Sequence, residues 1–181
     1  MPEGMVVELS EYPLEQRRDD GELILYRANT KQMEQPSLLL LSPASSRPSP
    51  ETLKKIDYEY SLRSELDPAW ALEPLALSGQ SGQMTLVLED PCGRTLDEFI
   101  SGAMELTRFL GFAGGLATAI VGVHESKLIH KDGRPNDVLV NSATGQVRLI
   151  GFGIASRVRR EHQVPTNFSR SWSSSNGFCW W

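Results

Sequence analysis

The residues best suited to chemistry lie between Ile129 and Val140, where the chain reads Ile-His-Lys-Asp-Gly-Arg-Pro-Asn-Asp-Val-Leu-Val. Two carboxylates, Asp132 and Asp137, flank a cation, Arg134, and a proline. Taken alone, such a loop reads more readily as a solvated turn of two carboxylates around a proline. Two further acidic positions stand out: Glu59 within Tyr58-Glu59-Tyr60, and Glu89-Asp90 directly after an apolar run. Their bland readings are a surface helix glutamate and a solvated connector. Arg157, Arg159 and Arg160 read as a solvated basic run, and Phe152 as core.

Composition narrows the classes. With 18 Lys plus Arg against 23 Asp plus Glu, a formal charge of -5 gives no pull toward nucleic acid or an anionic membrane. Cys92 and Cys179 lie too far apart in sequence to suggest a zinc site or a disulfide framework, and a reducing cytoplasm fits that usage. The N-terminus carries Glu3 and Glu8 with no basic region ahead of an apolar stretch, unlike a signal peptide. No run approaches the roughly 20 apolar residues expected of a membrane span. The 181 residues, 40% of them hydrophobic, suffice for one domain with a sizeable core.

Elements to position these side chains are legible in part. Leu23–Tyr26 and Leu38–Leu41 read as strands, the second apolar on both faces. Ser49 and Pro50 suit the cap and first turn of a helix carrying Leu53, Ile56 and Tyr60 on one face, expected to run to about Leu66. Met84–Leu88 is a further strand, ended by Pro91 and Gly93. Thr95-Leu96-Asp97-Glu98 is a capping-box pattern opening a short helix. A long helix follows from Met104 to about Glu125, its glycines expected to permit close packing. Val138–Val140 and Val147–Ile150 then read as a hairpin. Early strands with one helix, a connector, then helices and a hairpin outline an α+β fold.

The loop from Ile129 to Val140 resembles the protein-kinase catalytic loop His-Arg-Asp-Leu-x-x-x-x-Asn, and Ile150-Gly151-Phe152-Gly153 is similar to the later Asp-Phe-Gly. Their order and spacing, after a long helix and around a hairpin, make the resemblance far more specific than either piece. It covers about residues 10 to 160. Within that superfamily, Glu65-Leu66-Asp67-Pro68-Ala69-Trp70 and Leu88-Glu89-Asp90-Pro91 resemble the N-terminal kinase-like region of large bacterial sensor histidine kinases.

The resemblance implies a two-lobed kinase-like fold, with residues 1–91 as the N-lobe and 92–160 as the start of the C-lobe. Residues 161–181 are then a disordered or aberrant tail, and the chain is a fragment of the fold because no Ala-Pro-Glu follows Arg160. ATP and Mg2+ are the implied cofactors and other signalling domains or proteins the implied partners, with no nucleic acid and no membrane insertion, in the cytoplasm. By the same resemblance Asp132 stands for the catalytic base, Arg134 for the phosphate-facing cation and His130 for a structural brace. Asp137 replaces the metal-binding asparagine, Glu59 sits where a glutamate meets a strand lysine, and Glu89 and Asp90 fall at the adenine-holding hinge.

The departures concern charge. Gly151 replaces the aspartate of Asp-Phe-Gly, Leu38–Leu41 holds no lysine, Lys31 is misplaced for that role, and Gly21 alone stands where a glycine-rich phosphate cover is expected. Losing one preorganised donor costs roughly a hundred- to a thousandfold in rate. Several are absent together, so the expectation is a degenerate regulatory module with weak or no ATP binding. The alternative is an active serine/threonine-type kinase whose missing lysine comes from elsewhere. A third reading is an incomplete domain whose long helix exposes an apolar face.

Overall fold

Leu38–Leu41 lie at the centre of a five-stranded antiparallel sheet, in a computed structural model that describes residues 13–29, 37–80, 83–100 and 102–158. The expectations for Lys31, Cys179, Arg159, Arg160 and the tail fall outside these residues. The strands are β1 (Leu14–Asp19), β2 (Leu23–Ala28), β3 (Leu38–Pro43), β4 (Pro74–Gln80) and β5 (Gln83–Glu89), in the order β1-β2-β3-β5-β4. As expected, β3 buries both faces. Leu39 and Leu41 join Leu25, Leu86 and Leu88 on one side, while Leu40 meets Ala28 and Val87 on the other.

Helix α1 (Pro50–Ser61) covers the first of these faces through Ile56, which is fully buried. Its start follows the sequence signal, with the Ser49 hydroxyl accepting from the Thr52 amide and Pro50 in the first turn. Its end differs from the expected Leu66. From Leu62 the amides bond three residues back, Leu62 to Glu59, Arg63 to Tyr60 and Glu65 to Leu62, and this tightening ends the helix after Ser61. Strands β1 and β4 were not expected from the sequence. Leu14-Glu-Gln-Arg-Arg-Asp has a single apolar residue, and pairing with β2 holds it at the sheet edge.

Beyond the connector lie β6 (Arg94–Thr95), α2 (Asp97–Ile100), α3 (Leu106–Glu125), β7 (Leu128–Ile129), β8 (Val138–Val140), β9 (Val147–Leu149) and β10 (Ser156–Arg157). The Glu98 carboxylate reaches back to the Thr95 amide at 3.3 Å, half of the anticipated capping box. The inner face of α3 packs into a second core with Trp70, Leu128, Val138, Val140 and Phe152. A Cβ at Gly122 would overlap the Trp70 ring, so glycine is what lets the helix approach it. The outer face leaves Leu106, Phe109, Leu110, Ile120 and Val121 exposed. With a mean hydropathy of 1.5 over 18 residues, α3 is long and apolar enough to cross a membrane by length and composition, which corrects the expectation that no run comes near that mark. A mostly buried core helix passes the same test, whereas 17% of this window is buried.

Candidate functional site

A β-bulge determines what enters the site. The register between β1 and β2 shifts between Gln16 and Arg18, so that Gln16 pairs with Tyr26 but Arg18 with Leu25. Leu25 faces the α1 side, and Arg18 is turned to that same side, where it is 6% exposed. Arg17 is left to reach Glu98 at 2.7 Å.

Below Arg18 the loop between β7 and β8 is tied down at several points. His130 Nε2 pairs with the Ile150 carbonyl at 2.8 Å, and its Nδ1 accepts from the Asp132 amide at 3.3 Å, so the proton sits on Nε2. The ring packs edge-on to Phe152 with centroids 4.6 Å apart. His130 therefore braces the loop against the turn after β9, as anticipated. A 3-10 turn over Pro135–Asp137 then places Asp137 beneath the sheet, 1% exposed.

Arg18 donates from one terminal nitrogen to Asp137 Oδ1, and its other lies 3.6 Å from Asp20 Oδ2. Arg134 donates to Asp137 Oδ2 at 3.2 Å and also reaches Asp132 at 2.9 Å and Asp20 at 3.3 Å. Both carboxylate oxygens of Asp137 thus carry a guanidinium. Burial pushes the Asp137 carboxyl up from its usual range, against the pull of Arg18 and Arg134. For Asp20, burial is outweighed by the amides of Leu23 and Glu22 and by Arg18, and the net direction is down.

Glu59 is not the surface glutamate of its bland reading but is 3% exposed. With no lysine on β3, its carboxylate accepts from the Gly151 amide at 3.0 Å and from the Phe152 amide. Burial drives its pKa upward. Gly151 has φ of 85°, a left-handed conformation suited to glycine, and a Cβ there would stand 3.1 Å from Asp137 Oδ1. An aspartate at 151 would crowd a second carboxylate against Asp137.

Glu59, Asp132, Arg134 and Asp137 therefore line one cavity of about 60 Å3, together with Arg18, Asp20, Glu22 and Lys55. Glu89 and Asp90 lie apart from it. Asp90 is buried, not solvated: Arg27 at 2.7 Å, Ser37 at 2.6 Å and the Cys92 amide at 2.9 Å satisfy it, pinning the connector to β2. Glu89 pairs with Arg148 at 3.0 Å.

Four charged lining groups, Arg18, Asp20, Glu22 and Lys55, were missed in the sequence. Lys55 bonds Glu22 at 2.6 Å across the cavity mouth. It lies four positions before Glu59, hence on the same helical face, a signal available in principle. Asp20 precedes the Gly21 turn, a position that usually marks only turn chemistry. Arg18 had no signal, being a polar residue on an edge strand 119 positions from its partner.

As arranged, the donor set does not fit Mg2+ at Asp137. Both its oxygens are occupied by guanidinium groups, and among the described residues no group of three His, Cys, Asp or Glu is placed to hold a metal ion. Ligand pockets for drug-sized molecules usually enclose roughly 300–1,000 Å3. The 60 Å3 here is far smaller.

The five-stranded sheet with its covering helix is compatible with the α+β N-lobe of a protein kinase. No family model matches the chain. It is 26% identical over 119 residues to myosin light chain kinase family member 4 of Homo sapiens, covering 64% of this chain and 31% of that protein. It is 24% identical over 119 residues to serine/threonine-protein kinase PrkC of Bacillus subtilis (strain 168), covering 65% and 18%. Against myosin light chain kinase 3 of Danio rerio it is 29% identical over 89 residues, covering 47% and 12%. The chain spans about a third or less of these curated relatives. These partial similarities support a kinase-like relationship, of the serine/threonine type.

Proposed function

We propose that this chain is a kinase-like signalling module, degenerate at its phosphate and metal site, that serves a regulatory role within a larger sensor kinase rather than transferring phosphate itself. The observation that carries this reading is the double guanidinium contact on Asp137 inside a 60 Å3 cavity. Phosphoryl transfer depends on metal ions and a lysine to neutralise the phosphates and on a carboxylate to orient the acceptor. Here Asp137 is already neutralised, and five carboxyl groups line the cavity against three cations, a poor receptor for a polyanion. The two-lobed arrangement, the cytoplasmic setting, the two-component context and signalling domains as partners belong to the same proposal.

A second reading has its own support. Lys55 enters the cavity from α1 and Asp132 stands at its edge with a 37% exposed side chain, so an active kinase could draw its lysine from the helix and use Asp132 as base. Thermal melting of the chain with ATP, with and without Mg2+, separates the two. The regulatory reading expects a cooperative transition that millimolar ATP does not move. A Mg2+-dependent rise, joined to phosphate transfer that Asp132→Asn abolishes, would establish the enzyme instead.

A further inference from the structure

The outer face of α3 calls for a cover. Over residues 109–123 the helix carries no charged side chain, and Phe109, Leu110, Ile120 and Val121 are between 41% and 59% exposed. Monomeric proteins rarely leave a contiguous apolar patch of more than about a few hundred Å2 in water. At the N-terminal half of the helix this face borders a groove of about 230 Å3, lined by Leu96, Ile100, Met104, Phe109, Phe112 and Leu116 among others, all apolar. Arg108 lies over the rings of Phe99 and Phe112, 4.8 and 5.4 Å from their centroids, and offers a cation to a further ring.

We infer that residues 159–181 of the same chain dock on this face and seat their aromatic side chains along α3 and in the groove. Position, reach and composition favour this occupant. Strand β10 pairs with β7, directly after α3, and the Val158 amide donates to the Lys127 carbonyl at 2.8 Å. Residue 159 therefore starts beside the C-terminal end of α3. From there to Phe109 is about 24 Å at 1.5 Å per helical residue, which an extended chain covers in about eight residues. Phe168 and Trp172 lie ten and fourteen positions beyond Val158, so both reach the groove. Residues 162–181 hold Phe168, Trp172, Phe178, Trp180 and Trp181 against one formal charge, Arg170, which matches an uncharged apolar surface. Tethering also gives this segment an effective concentration of about millimolar order, whereas a second copy has to offset its lost translational freedom. A bilayer is the poorer partner, because Phe112, Ala119 and Val123 hold the inner face of α3 in the second core. This docking does not depend on whether the module binds nucleotide.

The test is iodide quenching of tryptophan fluorescence in the full chain, with sedimentation giving its mass. Trp70, 7% exposed, is sheltered by the fold itself, so Trp172, Trp180 and Trp181 report on the docking. Wild type is expected to be a monomer in which these three are also shielded from iodide. Leu110→Glu and, separately, Val121→Glu place a charge on the exposed face without entering the core. Each is expected to open all three tryptophans to iodide while the far-ultraviolet circular dichroism persists. Should both glutamate variants unfold, Leu110→Thr is expected to give the same loss of shielding in a folded chain. Wild-type tryptophans quenched as freely as those of the variants overturn the inference, as does a wild type with no cooperative melt, whose face is then bare. A wild-type dimer that Leu110→Glu dissociates overturns it in favour of a second copy. Flotation of wild type with phosphatidylcholine vesicles, lost in Leu110→Glu, overturns it in favour of a bilayer.

Discussion

Removing the Asp137 carboxylate should be far more damaging than removing Asp132, five residues away in the same loop. Arg18 and Asp137 have side chains only 4% and 2% exposed, so Asp137→Ala strands a guanidinium in the interior. Breaking a buried pair from one side costs about 3–5 kcal/mol. Arg18 keeps Asp20 at 3.6 Å, which places the expectation near the lower end, about 3 kcal/mol. The Asp132–Arg134 pair is 37% and 44% exposed, where solvent screening leaves about 1 kcal/mol or less. For a chain of this size the first loss corresponds to a fall in Tm of roughly 6–12 °C. Urea unfolding followed by far-ultraviolet circular dichroism measures both variants, and this probe avoids the mixed fluorescence of four tryptophans. The paired variant Arg18→Met/Asp137→Leu should regain much of the loss, since no charge is then left unpaired. Equal costs for Asp137→Ala and Asp132→Ala, or no recovery in the pair, would refute the buried ion pair.

Two further outcomes follow from the same geometry. Burial raises the Glu59 pKa, so the folded state holds that proton more tightly than the unfolded chain. Its contribution is fully present below the unfolded carboxylate value and is lost as pH rises through the folded one. Glu59→Gln keeps an oxygen for the Gly151 amide without the charge. Its stability relative to wild type should therefore increase as pH rises from about 4 toward neutrality, in urea titrations across that range. A constant difference between the two would count against a desolvated Glu59. Gly122→Ala forces a methyl against the Trp70 ring and should cost about 1–3 kcal/mol, read from the urea midpoint. Gly111→Ala, with open space around its Cβ, should be neutral or slightly stabilising by comparison.

Local chemistry and tertiary structure divided the work along a clear line. Runs of leucine, the Ser49-Pro50 cap and the His130–Asp137 loop depend on neighbours within a few residues, so the central strands, the start of α1 and the kinase-like resemblance could be read directly. Even there, the sequence left Glu59 and Asp90 open between a site role and a solvated acid, and both are buried and bonded. Which cation meets Asp137 was beyond the sequence. The answer depends on a one-residue register shift in a polar edge strand and on a contact spanning 119 positions. An arginine on such a strand has no periodicity to betray it, because the force that holds it inside is the charge of a distant carboxylate and not any preference of its own segment.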